Sequence, residues 1–157
     1  MLIKKQLRRY IPSSSDFYYA EFPFYWLARV QGIYQRHLEK ALKKVGTEIP
    51  AWRVLFFLKV HGTASISEIS THAIIKVSTM TRIIQRMKAD GLVETNAHAD
   101  DGRVKEVILT KVGEDLIVQI QQTTERLFAR SFKGLTQARI SKLNATLKQL
   151  YENLADD

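Results

Sequence analysis

Apolar positions Phe24, Leu27, Ile33, Leu38 and Leu42 recur at broadly helical spacing between about residues 21 and 45. They predict a long first helix, with Gly46 well placed as its C-terminal cap. Pro12 and the serines at 13–15 mark a non-helical entry before it. Pro50 then stands where a first helical turn tolerates proline, and AWRVLFFLKV runs to Gly62 as a second, largely apolar helix at the centre of the core. Ser65-Ile66-Ser67-Glu68 has the spacing of a capping box, so a short third helix follows with Ile66, Ile69 and Ala73 inward. A fourth helix is expected from Ser78, read as its N-cap, to just before Gly91. Two short helices joined by a tight connection make a helix-turn-helix candidate.

The period then changes. LVETN and KEVILT carry β-branched residues around the polar stretch AHADDGRV, which predicts a hairpin with an extended loop, or wing. From Lys111 helical spacing returns through Leu116, Ile120, Leu127 and Phe128, and again through Ile140, Leu143, Leu147, Leu150 and Leu154. The expected fold is mainly α with a small β-wing: a winged helix-turn-helix at about 48–110, with helical dimerisation parts at about 10–46 and 111–157. Together these form a single domain over 1–157, and no fixed-period repeat interrupts it.

Composition narrows the function classes. The 157 residues, 45% of them hydrophobic, suffice for one core. No cysteine is present, which excludes disulfides, thiolate metal sites and thiol redox sensing. No apolar run approaches the roughly 20 residues that span a bilayer, so the cytoplasm is expected and no membrane contact. The net charge of +8 favours anionic partners in general. Its excess is dispersed, with one cluster at Lys4, Lys5, Arg8 and Arg9 and another at Arg130, Lys133, Arg139, Lys142 and Lys148.

Pattern carries more than charge in KVSTMTRIIQRMKADGLVE. Met80, Ile84 and Met87 share one helix face with Ile83 beside it, which assigns them to packing. Ser78, Arg82 and Gln85 fall at i, i+4 and i+7 on another side, flanked by Thr79, Thr81 and Arg86. A helix fits the major groove, where Arg bonds guanine, Gln bonds adenine, and Ser or Thr reaches bases or phosphates. Many surface helices carry an Arg and Gln face for solubility alone. The context favours DNA, because a wing follows at once and Arg103 near its tip suits a narrow, electronegative minor groove. Lys76, Lys88 and Lys105 are candidates for phosphate contacts.

With these residues in view, the chain resembles the MarR family of bacterial transcription regulators. The likeness rests on STMTRIIQRMKADGLVE, similar to the family's recognition helix and its Gly-Leu-(Val/Ile) step, and on DDGRVKEVILTKVGEDL, similar to its Asp-x-Arg wing and Leu-Thr-x-x-Gly exit. It covers roughly residues 20 to 155. The resemblance implies DNA reading by Ser78, Thr79, Thr81, Arg82, Gln85 and Arg86, a wing arginine at Arg103, and an acid at Asp101 that holds it. Gly102 stands where a second arginine is common, and Thr95 where the strand often has Arg. Both departures weaken the expected phosphate grip of the wing.

The resemblance also implies a homodimer through the first, fifth and sixth helices. Leu116, Ile120, Leu127, Phe128, Leu147, Leu150 and Leu154 are more apolar surface than one short wing domain covers. A monomeric helical cap is the alternative. The dimer is preferred because two recognition helices about 34 Å apart read a pseudo-palindrome in double-stranded DNA. Members of the family commonly bind small aromatic acids or related compounds between their two parts. Phe22, Phe24, Tyr25, Trp26, Arg29, Tyr34 and His37 on the first helix, with Trp52 and Phe56 on the second, are suitable for such an effector, and Arg29 is the first choice for its carboxylate. Each aromatic residue taken singly is more often plain core or dimer interface, so the effector reading belongs to the cluster.

Other functions fit less well. His37, His61, His72 and His98 are scattered, and neither a Ser-His-Asp constellation nor a Gly-rich phosphate loop is evident, so no enzyme is expected. The fifth helix has no His, which argues against the metal-sensing branch of the family the chain resembles, and no cofactor beyond an aromatic effector is expected. A constitutive regulator without an effector, and a winged helix used for protein or RNA contacts, stand as the alternatives.

Overall fold

The computed structural model describes residues 5–97 and 105–155. Two 3-10 turns, Lys5–Tyr10 and Tyr19–Glu21, lead into α1 (Pro23–Lys43), α2 (Ile49–His61), β1 (Thr63–Ser65), α3 (Ile66–Ala73) and α4 (Val77–Ala89). Then come β2 (Val93–Ala97), β3 (Lys105–Leu109), α5 (Lys111–Ser131) and α6 (Gln137–Ala155). The mainly helical class with a small wing is the class the sequence pattern predicts. The chain divides into two compact units, residues 1–124 and 125–157. That cut falls inside α5, and α1 buries Leu38 and Leu42 within the first unit.

Local sequence sets the helix ends. Pro23 and Pro50 occupy the first turns of α1 and α2, where a missing N–H costs nothing. Gly46 and Gly91 take φ of 70° and 72° beyond α1 and α4. They let Thr47 N–H reach the Leu42 carbonyl at 3.1 Å and Leu92 N–H the Met87 carbonyl at 2.9 Å. The capping box forms in full: the Glu68 amide donates to Ser65 Oγ, and the Ser65 amide donates to Glu68 Oε2 at 2.8 Å. Ser78 is not an N-cap. α4 starts one residue earlier, with Lys76 in the extended cap position and no side chain closing it, so Ser78 is a helical residue with an exposed side chain.

β1 was not expected from the sequence. It pairs antiparallel with β3, giving a three-stranded order β1-β3-β2 in which Ala64 faces Val107 and Thr95 faces Val107 from the other side. Ala64, Val93 and Val107 are buried and close the sheet onto the helices. The core of the first unit gathers Leu38, Leu42, Val54, Leu55, Leu58, Ile69, Met80, Ile84 and Met87, each contributing about 1.5–3 kcal/mol by burial. Ile120 joins them at 0% exposure, so its assignment to a dimer face is corrected: it packs inside its own unit.

Sheet and α5 meet at one joint. The Thr110 amide donates to the Leu92 carbonyl at 3.2 Å, and Thr110 Oγ1 donates to the Gly91 carbonyl at 2.6 Å. The same hydroxyl accepts from the Gly113 amide at 3.1 Å, as an N-cap does. Gly113 is buried so closely that an added Cβ would sit 2.2 Å from the Leu92 carbonyl oxygen. This explains physically why Leu-Thr-x-x-Gly follows the wing. In the second unit, α6 buries none of its residues.

Candidate nucleic-acid interface

α4 has two faces with opposite characters. Met80, Ile83, Ile84 and Met87 are buried, while Lys76 before the helix and Ser78, Thr79, Arg82, Gln85 and Arg86 within it are exposed. The helix contains no acidic residue, so beyond the exposed Val77 at its start the outer face is polar and cationic. Thr81 is half-buried and donates its hydroxyl to the Val77 carbonyl at 2.9 Å, which leaves an oxygen lone pair rather than the proton for an outside partner. A buried seam opposite a free donor face is what a groove-reading helix requires, since the seam fixes the pose in which the donors are presented.

The flanks of α4 are engaged by the protein itself. Arg86 pairs with Glu48, the residue that precedes α2, and both side chains remain about half exposed. Lys88 Nζ donates to Thr95 Oγ1 on β2 at 2.8 Å. Thr95, noted as a departure from the usual arginine, therefore receives a cation from α4 instead of supplying one. The centre of the exposed polar face is Ser78, Arg82 and Gln85, with Arg86 held to one side. Lys105 is exposed at the start of β3. Asp101 and Arg103, the expected wing contacts, lie outside the described residues, as do Gly102 and His98.

The proposed effector residues separate into two groups. Phe22 packs edge-on against Phe17 at 5.6 Å, and Tyr25 packs against Tyr19 and Trp26 at 4.6 and 5.1 Å. Trp26 Nε1 donates to the Ala20 carbonyl, and the Arg29 guanidinium lies 5.4 Å from the Tyr25 ring centroid. Trp26, Arg29 and His37 are exposed. Trp52 and Phe56 form the other group on α2, half-buried with ring centroids 5.5 Å apart. Tyr34 on α1 is half-buried, and burial holds its phenol above the ordinary value while the charge of Arg53 works against that rise. An open cavity of about 410 Å³ beside Leu58, Lys59, Ile108 and Ile117, and another of about 350 Å³ beside Thr47, Glu48, Arg86 and Met87, have no aromatic lining.

Two site-forming residues escape the sequence pattern. Arg53 interrupts an apolar stretch of α2 and donates from Nη1 to the Ala73 carbonyl at 2.7 Å. Glu48 holds Arg86 across 38 residues of chain. A lone arginine in AWRVLFFLKV was the available signal for the first; nothing local announces the second.

A three-stranded wing, a capped helix-turn-helix and a free cationic face on its second helix define a winged helix-turn-helix DNA-binding protein. Comparison with known proteins agrees. The MarR family profile matches residues 45–104. HTH-type transcriptional repressor IacR of Pseudomonas putida is 52% identical over 143 residues, covering 91% of this chain and 86% of that protein. Among solved structures, mutant MarR from E. coli complexed with operator DNA superposes with a TM-score of 0.71 at 22% identity, covering 80% of this chain and 90% of that one. CouR from Rhodococcus jostii bound to p-coumaroyl-CoA gives 0.77 at 19% identity, covering 85% and 94%. At such identities these two structures speak to the fold. The chain belongs to the MarR family and is a DNA-binding transcriptional repressor, not an enzyme. Among the described residues no helix is long and apolar enough to cross a membrane.

Proposed function

We propose that the protein is a homodimer that represses from a pseudo-palindromic operator and leaves it when a small aromatic acid, or a related aromatic compound, binds. The observation that carries this reading is the acid-free outer face of α4, with Ser78, Arg82 and Gln85 exposed over a fully buried apolar seam. In each half-site Arg82 and Gln85 read base edges in the major groove, Ser78 and Thr79 reach bases or phosphates, and Lys76 contacts phosphate. The E. coli relative solved on operator DNA supports groove reading by this fold.

Exposed apolar residues support a second copy as partner. Leu27, Val30 and Ile33 are exposed on α1, and Leu143, Tyr151 and Leu154 on α6. Leu116, Leu127, Phe128, Leu147 and Leu150 are half-buried and gain further cover from a partner. The Rhodococcus relative with a bound aromatic thioester supports an aromatic effector. Half-buried Trp52, Phe56 and Tyr34 offer walls for one. A ligand-independent repressor is the second reading. It is favoured by the exposure of Trp26 and Arg29, since a carboxylate pocket needs walls that exclude water.

The test is selection of random duplex DNA by the purified protein at two salt concentrations. A pseudo-palindrome with half-sites about 34 Å apart is expected. Recovery of no motif, with binding that collapses as salt rises, would refute sequence reading. Thermal shift with a panel of aromatic acids then separates the two readings: stabilisation of about 2.7 kcal/mol at 100 times the dissociation constant marks an effector, and silence across the panel marks the constitutive form.

A further inference from the structure

The turn of the helix-turn-helix holds a residue in an unfavourable conformation. Ala73 ends α3, and Ile74 follows at φ 56° and ψ 47°, in the left-handed region. Gly46 and Gly91 fill the corresponding positions after α1 and α4, where glycine has no Cβ to crowd the neighbouring carbonyl. A β-branched side chain has that clash in full. Packing offers no compensation, because Ile74 is 88% exposed.

The turn is therefore held from its backbone. The Ile75 amide donates to the Ser70 carbonyl at 3.0 Å, and the Ile74 amide to that of Thr71 at 3.3 Å. The Ala73 carbonyl is one of the acceptors a helix end leaves without a partner. It receives the Arg53 guanidinium from α2 at 2.7 Å, a charge-assisted bond placed at the negative end of α3. Among the described residues the other nitrogens of this guanidinium meet no acceptor. Lys76, the N-cap of α4, comes two residues after Ile74, so the dihedrals of Ile74 set the direction in which α4 starts.

We propose that Arg53 is a positioning residue for DNA recognition. By closing the end of α3 at Ala73 it holds the Ile74 turn, and through the turn it fixes the pose in which α4 presents Ser78, Arg82 and Gln85. The inference rests on α4 being the reading helix.

The experiment combines two substitutions. Arg53→Met keeps an unbranched side chain and removes every donor, while Ile74→Gly removes the clash that the donor offsets. Arg53→Met is expected to bind the selected operator about tenfold more weakly, as for loss of one hydrogen bond to a charged group. Adding Ile74→Gly should return most of that loss, and amide exchange at Ile75 should quicken in Arg53→Met and slow again in the double variant. Wild-type operator affinity in Arg53→Met, or a loss that Ile74→Gly leaves undiminished, overturns the assignment. Should Arg53→Met fail to fold, Ile74→Gly must restore folding, and continued failure also overturns it. The exchange measurement needs no DNA. If the wild type selects no operator, the reading-helix assignment has failed, and the exchange rates still decide whether Arg53 holds the turn.

Discussion

Replacing Gly113 by alanine would put a Cβ 2.2 Å from the Leu92 carbonyl oxygen and 3.3 Å from Leu109 Cδ2. The nearer obstacle is backbone at the start of the wing, not the end of a flexible side chain. Relief requires a movement of roughly an ångström, since non-bonded carbon and oxygen rarely approach closer than about 3.3 Å. That movement takes the Leu92 carbonyl from the Thr110 amide, which it accepts at 3.2 Å, and disturbs the cap on Gly113 itself. Overpacking against a rigid neighbour costs about 3 kcal/mol and the lost hydrogen bond about 1. The better helix propensity of alanine returns about 1 kcal/mol, for a net loss of about 3. For a chain of this length the melting temperature should fall by about 6–12 °C, read by circular dichroism at fixed protomer concentration. Gly32 supplies the contrast: it lies within α1 with nothing inside 4 Å of an added Cβ, so Gly32→Ala should stabilise by about 0.5–1 kcal/mol. A Gly113→Ala protein as stable as wild type would refute the steric account of the joint.

Three further outcomes are expected. Ser65→Ala removes the hydroxyl that accepts from the Glu68 amide and should cost about 1 kcal/mol in thermal unfolding, and an unchanged midpoint would mean that the capping box does not stabilise α3. Arg82→Ala should relax base preference at one position of each half-site by about 1–3 kcal/mol in a repeated duplex selection; an unaltered motif would remove Arg82 from the readers. Burial holds the Tyr34 phenol above its ordinary 10.0, so the folded chain retains a proton that the unfolded chain releases. The resulting stability is present below about pH 10 and is lost as pH rises from there through the folded value. Tyr34→Phe should lose stability less steeply across that alkaline window, and equal slopes would refute the assignment.

The elements legible in the sequence are those fixed by local chemistry. A period of 3.6 residues, a Ser and a Glu three apart, and glycine beyond a helix end each announce themselves within a few positions, and α2, α3 and α4 follow from them. β1 is three residues long, too short for alternation to register, and its reality depends on pairing with β3 more than 40 residues later. Ile120 shows a related limit. Helical spacing puts it on an apolar stripe but cannot say whether that stripe faces its own unit or a partner, and burial decides for the former. The aromatic residues were legible as a set on and before the first helix and on the second. Which of them pack ring on ring was not, since spacing along a helix does not fix contacts such as Phe17 with Phe22 or Tyr19 with Tyr25.

The long-range contacts explain why the unengaged polar face of α4 is narrower than its sequence suggests. The helix is held at its start by Arg53 through Ala73, at its end by the turn at Gly91, and along its flanks by Glu48 on Arg86 and Thr95 on Lys88. Of these, the Arg86–Glu48 pair is exposed on both sides, and such pairs contribute only about 0–1 kcal/mol. An approaching phosphate competes for Arg86 at little cost, and Glu48, left outside the contact, disfavours any anion seated too close. The wing strand acts differently. Lys88 and Thr95 bond across it, so displacing that lysine toward DNA also loosens α4 from β2. On the proposed reading, specificity falls to the exposed side chains of α4 with no internal hydrogen bond or ion pair among the described residues, Ser78, Thr79, Arg82 and Gln85, and affinity to the cations that the fold holds loosely enough to surrender.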